Sequence, residues 1–328
     1  MAHQIKVSFL VYTVLRLICM YIVSVTIIQG TKSIIEWQVD RTGGKSEYMW
    51  QNMWKRVVEF LGENHFMIFV AGTYGYSATV FWLYHSIYLY MDMTEKPAFL
   101  RKYKIQEGKN SPLTPAQLKK ALSVILPSQM YAIMVTTMFY PIQKWRGMPY
   151  LDPELPSVPR LVWDVLIIAI LQGGMFYYSH RLLHHPVLYK RFHKIHHEWT
   201  APVSITSVYA HPVEAIISNY IPLVLASAIV GCHVFTTWVW LTVAIIQTAN
   251  DHSGYHFPFS LSPEFHDYHH LKFNQCFGVF GILDHIHGTD SQFQESVQNK
   301  RHHMFFSLVP ISKSIPFPPK SEERPKAA

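Results

Sequence analysis

Charge is what this sequence has least of. Asp, Glu, Lys and Arg together supply 15% of its 328 residues, against about 25% in an ordinary soluble domain. Hydrophobic residues supply 49%. That deficit argues against a water-facing surface all round and points to lipid. Cysteine is scarce as well. Cys19, Cys232 and Cys276 stand far apart and form no CxxC pair, which excludes a zinc ribbon and a disulfide scaffold. There is no internal repeat and no low-complexity tract. Acids are outnumbered by bases, giving a net charge of +7. The bases fall in short clusters between apolar runs, the pattern of a membrane surface, and no nucleic-acid partner is expected.

The apolar runs come next. A spanning helix needs roughly 20 predominantly apolar residues. Residues 8–29, 66–91, 122–142 and 161–178 approach or meet that length, while 215–230 and 234–248 are two shorter runs joined by Gly231-Cys232-His233. The first run is too long for the apolar region of a cleaved leader and is expected to be a retained span, with Arg16 snorkelling or paired, or the segment lying partly at the interface. Pro127 and Pro141 are expected to break the third run. The two short runs are expected to form a tilted or re-entrant hairpin.

Orientation follows from the bases. Residues 94–120 carry Lys96, Arg101, Lys102, Lys104, Lys109, Lys119 and Lys120 against Glu95 and Glu107, so this loop is expected on the cytosolic side. The third and fourth runs then return the chain to the same side, beside Lys190, Arg191 and Lys194. The expected fold is an all-α membrane protein: a bundle of about four to six membrane helices with a cytosolic, histidine-rich helical cap holding a dinuclear metal site. Residues 1–160 are expected to hold the N-terminal membrane helices and the cytosolic loop, 161–311 a catalytic domain, and 312–328 a disordered tail.

What the sequence has in excess is histidine. There are 20, and more than half lie between residues 180 and 287. Four groups stand out: His180 and His184; His193, His196 and His197; His252 and His256; His266, His269 and His270. Side chains four apart on a helix meet on one face, so each HxxxH pair can reach one ion, and each HxxHH triplet can be shared between two neighbouring ions. Ten imidazoles exceed the needs of one ion and match two with four or five ligands each. Neutral imidazole suits iron, copper, nickel and zinc. A pair of redox-active ions can reduce dioxygen jointly, the oxidising power that an inert lipid C–H bond demands, whereas a zinc hydrolase needs only three ligands and a water.

A lone histidine is more often structural than ligating, the reading given to His65, His85 and His233. His185 precedes Pro186 and is left out of the ligand set. His211 and His287 are open between ligand, hydrogen-bonding support and surface, and His302 and His303 are expected on the surface. A ligating imidazole donates its other N–H to a carboxylate or carbonyl. Glu198, Glu214, Asp251, Asp267 and Asp284 are the available acids, with Asp267, inside the last box, foremost. Tyr209, Tyr255 and Phe257 are expected at the wall of a lipid cavity.

These boxes resemble the fatty acid hydroxylase and sterol desaturase superfamily. Residues 179–186, SHRLLHHP, resemble its first box, and residues 192–200, FHKIHHEWT, its second. Tyr209-Ala210-His211-Pro212 with Glu214 is similar to a stretch in sterol 4-methyl oxidases. His252-Ser253-Gly254-Tyr255 resembles a turn shared by those enzymes and cholesterol 25-hydroxylases. Residues 263–276, PEFHDYHHLKFNQC, together with Leu283-Asp284-His285, His287-Gly288-Thr289-Asp290 and the loop at Gly108-Lys109-Asn110, resemble the superfamily too. The likeness spans roughly residues 48–317.

The resemblance implies an enzyme of the endoplasmic reticulum membrane with its site facing the cytosol. It implies two iron ions on the ten box histidines, zinc being an alternative occupant, and dioxygen as co-substrate. Electrons would come from NAD(P)H through a flavoprotein reductase and cytochrome b5. The chain carries no HPGG haem motif, so such a donor is a separate protein. No di-lysine retrieval signal stands at its end, so the location rests on the resemblance alone. The implied reaction is hydroxylation of a lipid, foremost the 4-methyl group of a sterol, repeated as far as the acid. One residue departs from that branch. His256 stands where sterol 4-methyl oxidases carry aspartate or asparagine, and it matches fatty acid 2-hydroxylases, so a fatty-acyl or sphingolipid substrate is the first alternative. A metal-binding membrane regulator without turnover is the second.

Overall fold

The computed structural model describes residues 47–147, 152 and 154–318. The expected first span at residues 8–29 lies outside them. The described residues are helical and contain no strand, only one isolated bridge between Lys104 and Tyr255. In chain order the longer helices are α1 (Glu47–Phe60), α2 (Thr73–Thr94), which continues a π-helical turn at Met67–Gly72, α3 (Pro115–Trp145), α4 (Val158–Leu183), α5 (Pro212–Val230), α6 (Val234–Asp251) and α7 (Glu264–Lys272). Three of these, α3, α4 and α5, are long and apolar enough to cross a membrane. The run at 66–91 becomes the turn plus α2, whose buried face carries the polar residues Thr73, His85 and Asp92.

Local signals explain the boundaries. Thr114 and Gln117 cap the start of α3 reciprocally, with Pro115 in the first turn, the arrangement that satisfies two otherwise orphaned N–H groups. The break expected at Pro127 and Pro141 does not occur: α3 runs unbroken for 31 residues. Proline inside a span is tolerated where neighbouring helices hold the segment, and α3 packs on α5 and on the π-helical turn at Met67–Gly72, while both proline rings lie on its exposed side. α5 ends at Gly231, whose φ of +66° is open to glycine and costly for other residues. The chain then turns through His233, whose Nδ1 accepts from the Phe235 N–H and starts α6.

α4 packs on α5 and α6, α2 packs on α6, and α3 closes against α5. Leu126, Met130, Met134 and Met138, spaced four apart on α3, stay exposed. One apolar stripe of that kind is a lipid-facing surface. At one end of the bundle the C-termini of α2, α4 and α6 meet the basic loop after α2. That loop is pinned to the later chain: Ile105 N–H donates to Gly254 O, His256 N–H to Tyr103 O, and Asn110 Nδ2 to Ala201 O. So the basic loop and the histidine-bearing segments share one end. The expected disordered tail begins in order. Ile311–Ser314 is helical, Ile311 is buried beside Tyr88 and Tyr103, and Arg301 Nε donates to Ile315 O at 2.7 Å. Residues 319–328 lie outside the described part.

Candidate metal centre

Five separate stretches of backbone deliver the histidines. His180 sits in the last turn of α4 and His184 just beyond it. His193 closes a π-helical turn (Tyr189–His193), and His196 and His197 lie on a 3-10 turn (His196–Glu198). His252 caps the C-terminus of α6, and α7 carries His266, His269 and His270. Helix C-termini present partial negative charge, so three of these elements direct an end favourable to cations at the same place.

The rings converge in two sets. His180, His184, His193, His197 and His269 form one; His196, His252, His266 and His270 form the other; within each, one donor atom per residue lies within 4.8 Å of the rest. The Nε2 of His193 is 3.0 Å from those of both His180 and His197. In the second set His266 Nε2 lies 2.9 Å from His252 Nε2 and 3.1 Å from His270 Nε2. The outer nitrogens show which tautomer is present. Nδ1–H of His180 donates to Phe277 O at 2.6 Å, that of His269 to Gln275 O at 2.7 Å, and that of His196 to Tyr209 O at 3.1 Å. His252 donates likewise to Thr248 O and His270 to Trp199 O. A ring protonated at Nδ1 and neutral overall has a lone pair on Nε2, so the convergent nitrogens are acceptors facing acceptors. Burial keeps the rings neutral: it pushes His196 down to about 4 and holds His193, His197, His252, His266, His269 and His270 well below the ordinary imidazole range.

Lone pairs packed 3 Å apart in a dry interior repel one another unless a cation lies among them. Two nitrogens about 2.1 Å from one ion, at a right angle, are about 3.0 Å apart. The residues present therefore fit two metal ions, with five and four imidazole donors.

His256 is the box residue that the structure does not bring in. Its Nδ1 lies 3.6 Å from Glu264 Oε1 and its Nε2 donates to His303 O at 3.2 Å. The positive φ of Gly254 turns the chain between His252 and His256, so they do not share a helix face. The supporting acids also differ from expectation. Asp267 accepts from Gln106 Nε2 at 3.0 Å, and burial raises its carboxyl to about 7. Glu214, another of the acids expected as support, stands beside the clustered histidines, 2.8 Å from His193 Nδ1 and 3.9 Å from His196 Nδ1, one residue from each set. Asp284 acts through backbone. It accepts from the N–H groups of Phe277 and Gly278 at 2.7 and 2.8 Å, fixing the loop whose carbonyl orients His180. A Cβ at Gly278 would stand 2.7 Å from that carboxylate. Glu198 accepts from Tyr209 and pairs with Lys120, and Asp251 accepts from Gln247.

Of the remaining histidines, His85 bonds Phe81 O and Ser207, His211 accepts from Val213 N–H, His287 meets Tyr178, and His302, expected on the surface, is buried against Ser262.

A cavity of about 220 Å³ lies between α2, α3, α4, α5 and α6 and reaches His252 and His266. Phe81, Phe176, Leu223, Leu241 and Phe280 are among its apolar walls. Tyr209, Tyr255 and Phe257 are not among its lining residues. Tyr209 supplies its carbonyl to His196, and Tyr255 stacks on Phe257 and under Lys104, tying the 252–257 turn to the basic loop. Sequence reasoning missed the amides of the lining, Gln129, Gln143, Gln172, Asn219 and Gln247. The signal was there: amides within otherwise apolar runs.

The comparisons fit this geometry. The fatty acid hydroxylase family model matches residues 165–289, the segment that carries nearly the whole site. Fatty acid hydroxylase domain-containing protein 2 of Homo sapiens is 41% identical over 293 residues, covering 88% of this chain and 87% of that protein. Methylsterol monooxygenase 2-2 of Arabidopsis thaliana is 32% identical, covering 74% and 92%. Very-long-chain aldehyde decarbonylase GL1-11 of Oryza sativa subsp. indica is 35% identical, covering 62% and 79%. No solved structure matches. A family match across the histidine-bearing segment, and relatives alike over most of both chains, lead to one assignment: this chain belongs to the fatty acid hydroxylase family.

Proposed function

We propose that the chain is a membrane di-iron oxygenase that hydroxylates a sterol, with the methyl group at carbon 4 as the position attacked. The observation that carries the oxygenase reading is the convergence of nine imidazole nitrogens in two adjoining sets beside a largely apolar cavity. His180, His184, His193, His197 and His269 would hold one iron, and His196, His252, His266 and His270 the other. When bound, the irons supply dioxygen reduction and the oxidant for the C–H bond. The chain's own residues do the rest. Carbonyls of Phe277, Gln275, Tyr209, Thr248 and Trp199 keep the protons on Nδ1. Glu214 takes the outward side of His193. The cavity walls exclude water and present the substrate carbon to the end lined by His252 and His266.

The sterol reading is supported by the relatives named methylsterol monooxygenase and by the Tyr209-Ala210-His211-Pro212 stretch. Its sequence-level rival, a fatty-acyl or sphingolipid substrate, leaned on His256, which lies outside both sets. The proposal includes residence in the endoplasmic reticulum membrane with the histidines on the cytosolic side, and electrons from NAD(P)H by way of cytochrome b5 and its reductase. Lys190, Arg191 and Lys194 flank His193 on that end, suited to an acidic donor or to anionic lipid.

The test combines metal analysis of anaerobically purified protein with a microsomal assay on 4-methyl sterols and NADH. Two irons per chain and oxidised 4-methyl product are expected. Missing product from an otherwise active preparation removes the carbon-4 reading. A cellular effect that survives His196→Ala with His197→Ala assigns the chain a role without turnover.

A further inference from the structure

The proposed reaction uses one end of the cavity. The other end is built differently. Gln143, two residues before the end of α3, is fully buried, lines the cavity, and neither its amide nitrogen nor its amide oxygen has a hydrogen-bond partner. Trp240, 2% exposed, also lines the cavity, and its indole N–H is unpartnered as well. The two residues belong to the same end. Arg146, three residues beyond Gln143, donates to the carbonyls of Ala228 and Ile229. Trp240 packs with Ala226 and Cys232. His252 lies twelve positions beyond Trp240, about 18 Å along α6 at 1.5 Å per residue.

Buried polar groups without partners are rare and costly, and a pair of them facing one cavity calls for a ligand group. The chemistry of the pair identifies it. Gln143 offers one acceptor and a donor, and Trp240 offers a second donor. A hydroxyl has one O–H to give and two lone pairs to fill, the complement of that set. A carboxylate only accepts; it would leave the Gln143 oxygen facing negative charge, and no Lys or Arg is among the residues that line the cavity.

We infer that Gln143 and Trp240 form a hydrogen-bonding cradle for a hydroxyl on the lipid, at the end of the cavity away from the histidines. The inference rests on the lipid-hydroxylase reading and narrows its substrate to a neutral, hydroxyl-bearing lipid spanning about 18 Å. Two sources have this chemistry: a side-chain hydroxyl on a sterol that enters ring-first, the orientation that puts carbon 4 at the histidines, and the ring hydroxyl of a sterol that enters side chain first, an orientation that would move the attack from carbon 4 to the side chain and replace that part of the proposed function.

The test is a binding measurement on the full-length protein purified in detergent, read as competition against a fluorescent sterol. The probes are 5α-cholestane, which lacks oxygen, cholesterol, a cholestane whose sole hydroxyl is on the side chain, and palmitate. At least one hydroxylated probe is expected to bind about tenfold tighter than cholestane, with palmitate weak. In Gln143→Leu that probe weakens while cholestane tightens, a pair of opposite changes that misfolding cannot produce. Trp240→Phe, which removes only the N–H and some ring area, reduces the same preference and serves should the first variant not fold. The probe that loses its advantage reveals the orientation. Cholestane binding as tightly as both hydroxylated probes, or discrimination unchanged in both variants, overturns the inference. Because binding is read without turnover, that failure leaves the oxygenase reading standing, and an inactive protein that still discriminates leaves the cradle standing.

Discussion

His269 and His270 are neighbours in the chain, yet their rings stand at 86° to one another and serve different donor sets. His269 joins His180, His184, His193 and His197; His270 joins His196, His252 and His266. The same division separates His197 from His196. Each HxxHH triplet thus sends members to both sets, and the two sites are locked together by short chain segments. His269→Ala and His270→Ala are each expected to lower iron from two toward one per chain, at different sites. The double variant His180→Ala with His269→Ala should lose no more than that one ion. Metal analysis by mass spectrometry checks the stoichiometry. Losses that do not follow the two sets would show the division to be wrong.

Glu214 touches one residue of each set, so its loss should be felt at both. Glu214→Gln is expected to weaken metal retention about 10- to 100-fold, the usual effect of removing a partner behind a ligating histidine. Glu198→Gln, whose carboxylate meets Lys120 and Tyr209, should leave retention near wild type. Titration with a competing chelator compares them.

His256 separates sequence spacing from ligation. His256→Phe is expected to keep two irons per chain while destabilising the fold by about 1–3 kcal/mol, because the His303 carbonyl loses its buried hydrogen-bond donor. His252→Ala should do the reverse and lose an ion. Iron content beside a thermal unfolding curve distinguishes them, and a fall in iron in His256→Phe would return this residue to the ligand set.

The basic loop is fastened to the bundle by a buried ion pair, Lys104 Nζ to Asp92 Oδ1 at 2.8 Å, with the lysine over the Tyr255 ring. Removing one partner of such a pair leaves a bare buried charge and costs about 3–5 kcal/mol. Asp92→Ala is therefore expected to lower the unfolding midpoint sharply, and Asp92→Ala with Lys104→Met to recover much of the loss. A double variant no better than the single one would show that the pair is not what holds the loop.

The legible part of this protein is local. Apolar runs of spanning length mark α3 and α4, and histidines three and four apart mark nine residues that gather in the two sets; the run at 215–230, read as too short, becomes part of α5, which is long enough to cross because the helix starts at Pro212. Both are patterns of period and chemistry within one segment. Where a local rule competed with a distant contact, the rule failed. Pro127 and Pro141 read as breaks, yet the helices beside α3 carry it through. Asp267 lies inside a box, but α7 turns its carboxylate to Gln106 on the basic loop. The aromatics Tyr255 and Phe257 look like lipid contacts and instead hold a turn.

The sequence by itself determined the class of molecule and its donor atoms, because apolar length and imidazole content are properties of residues. Only the tertiary structure decided which imidazole faces which. That division depends on where α4, α6 and α7 end and at what angle the chain leaves them, and no spacing within one segment encodes an angle between segments. The same holds for Glu214 behind His193, and for Gln143 and Trp240 at the far end of the cavity: each pairing joins elements that meet only once the helices have packed.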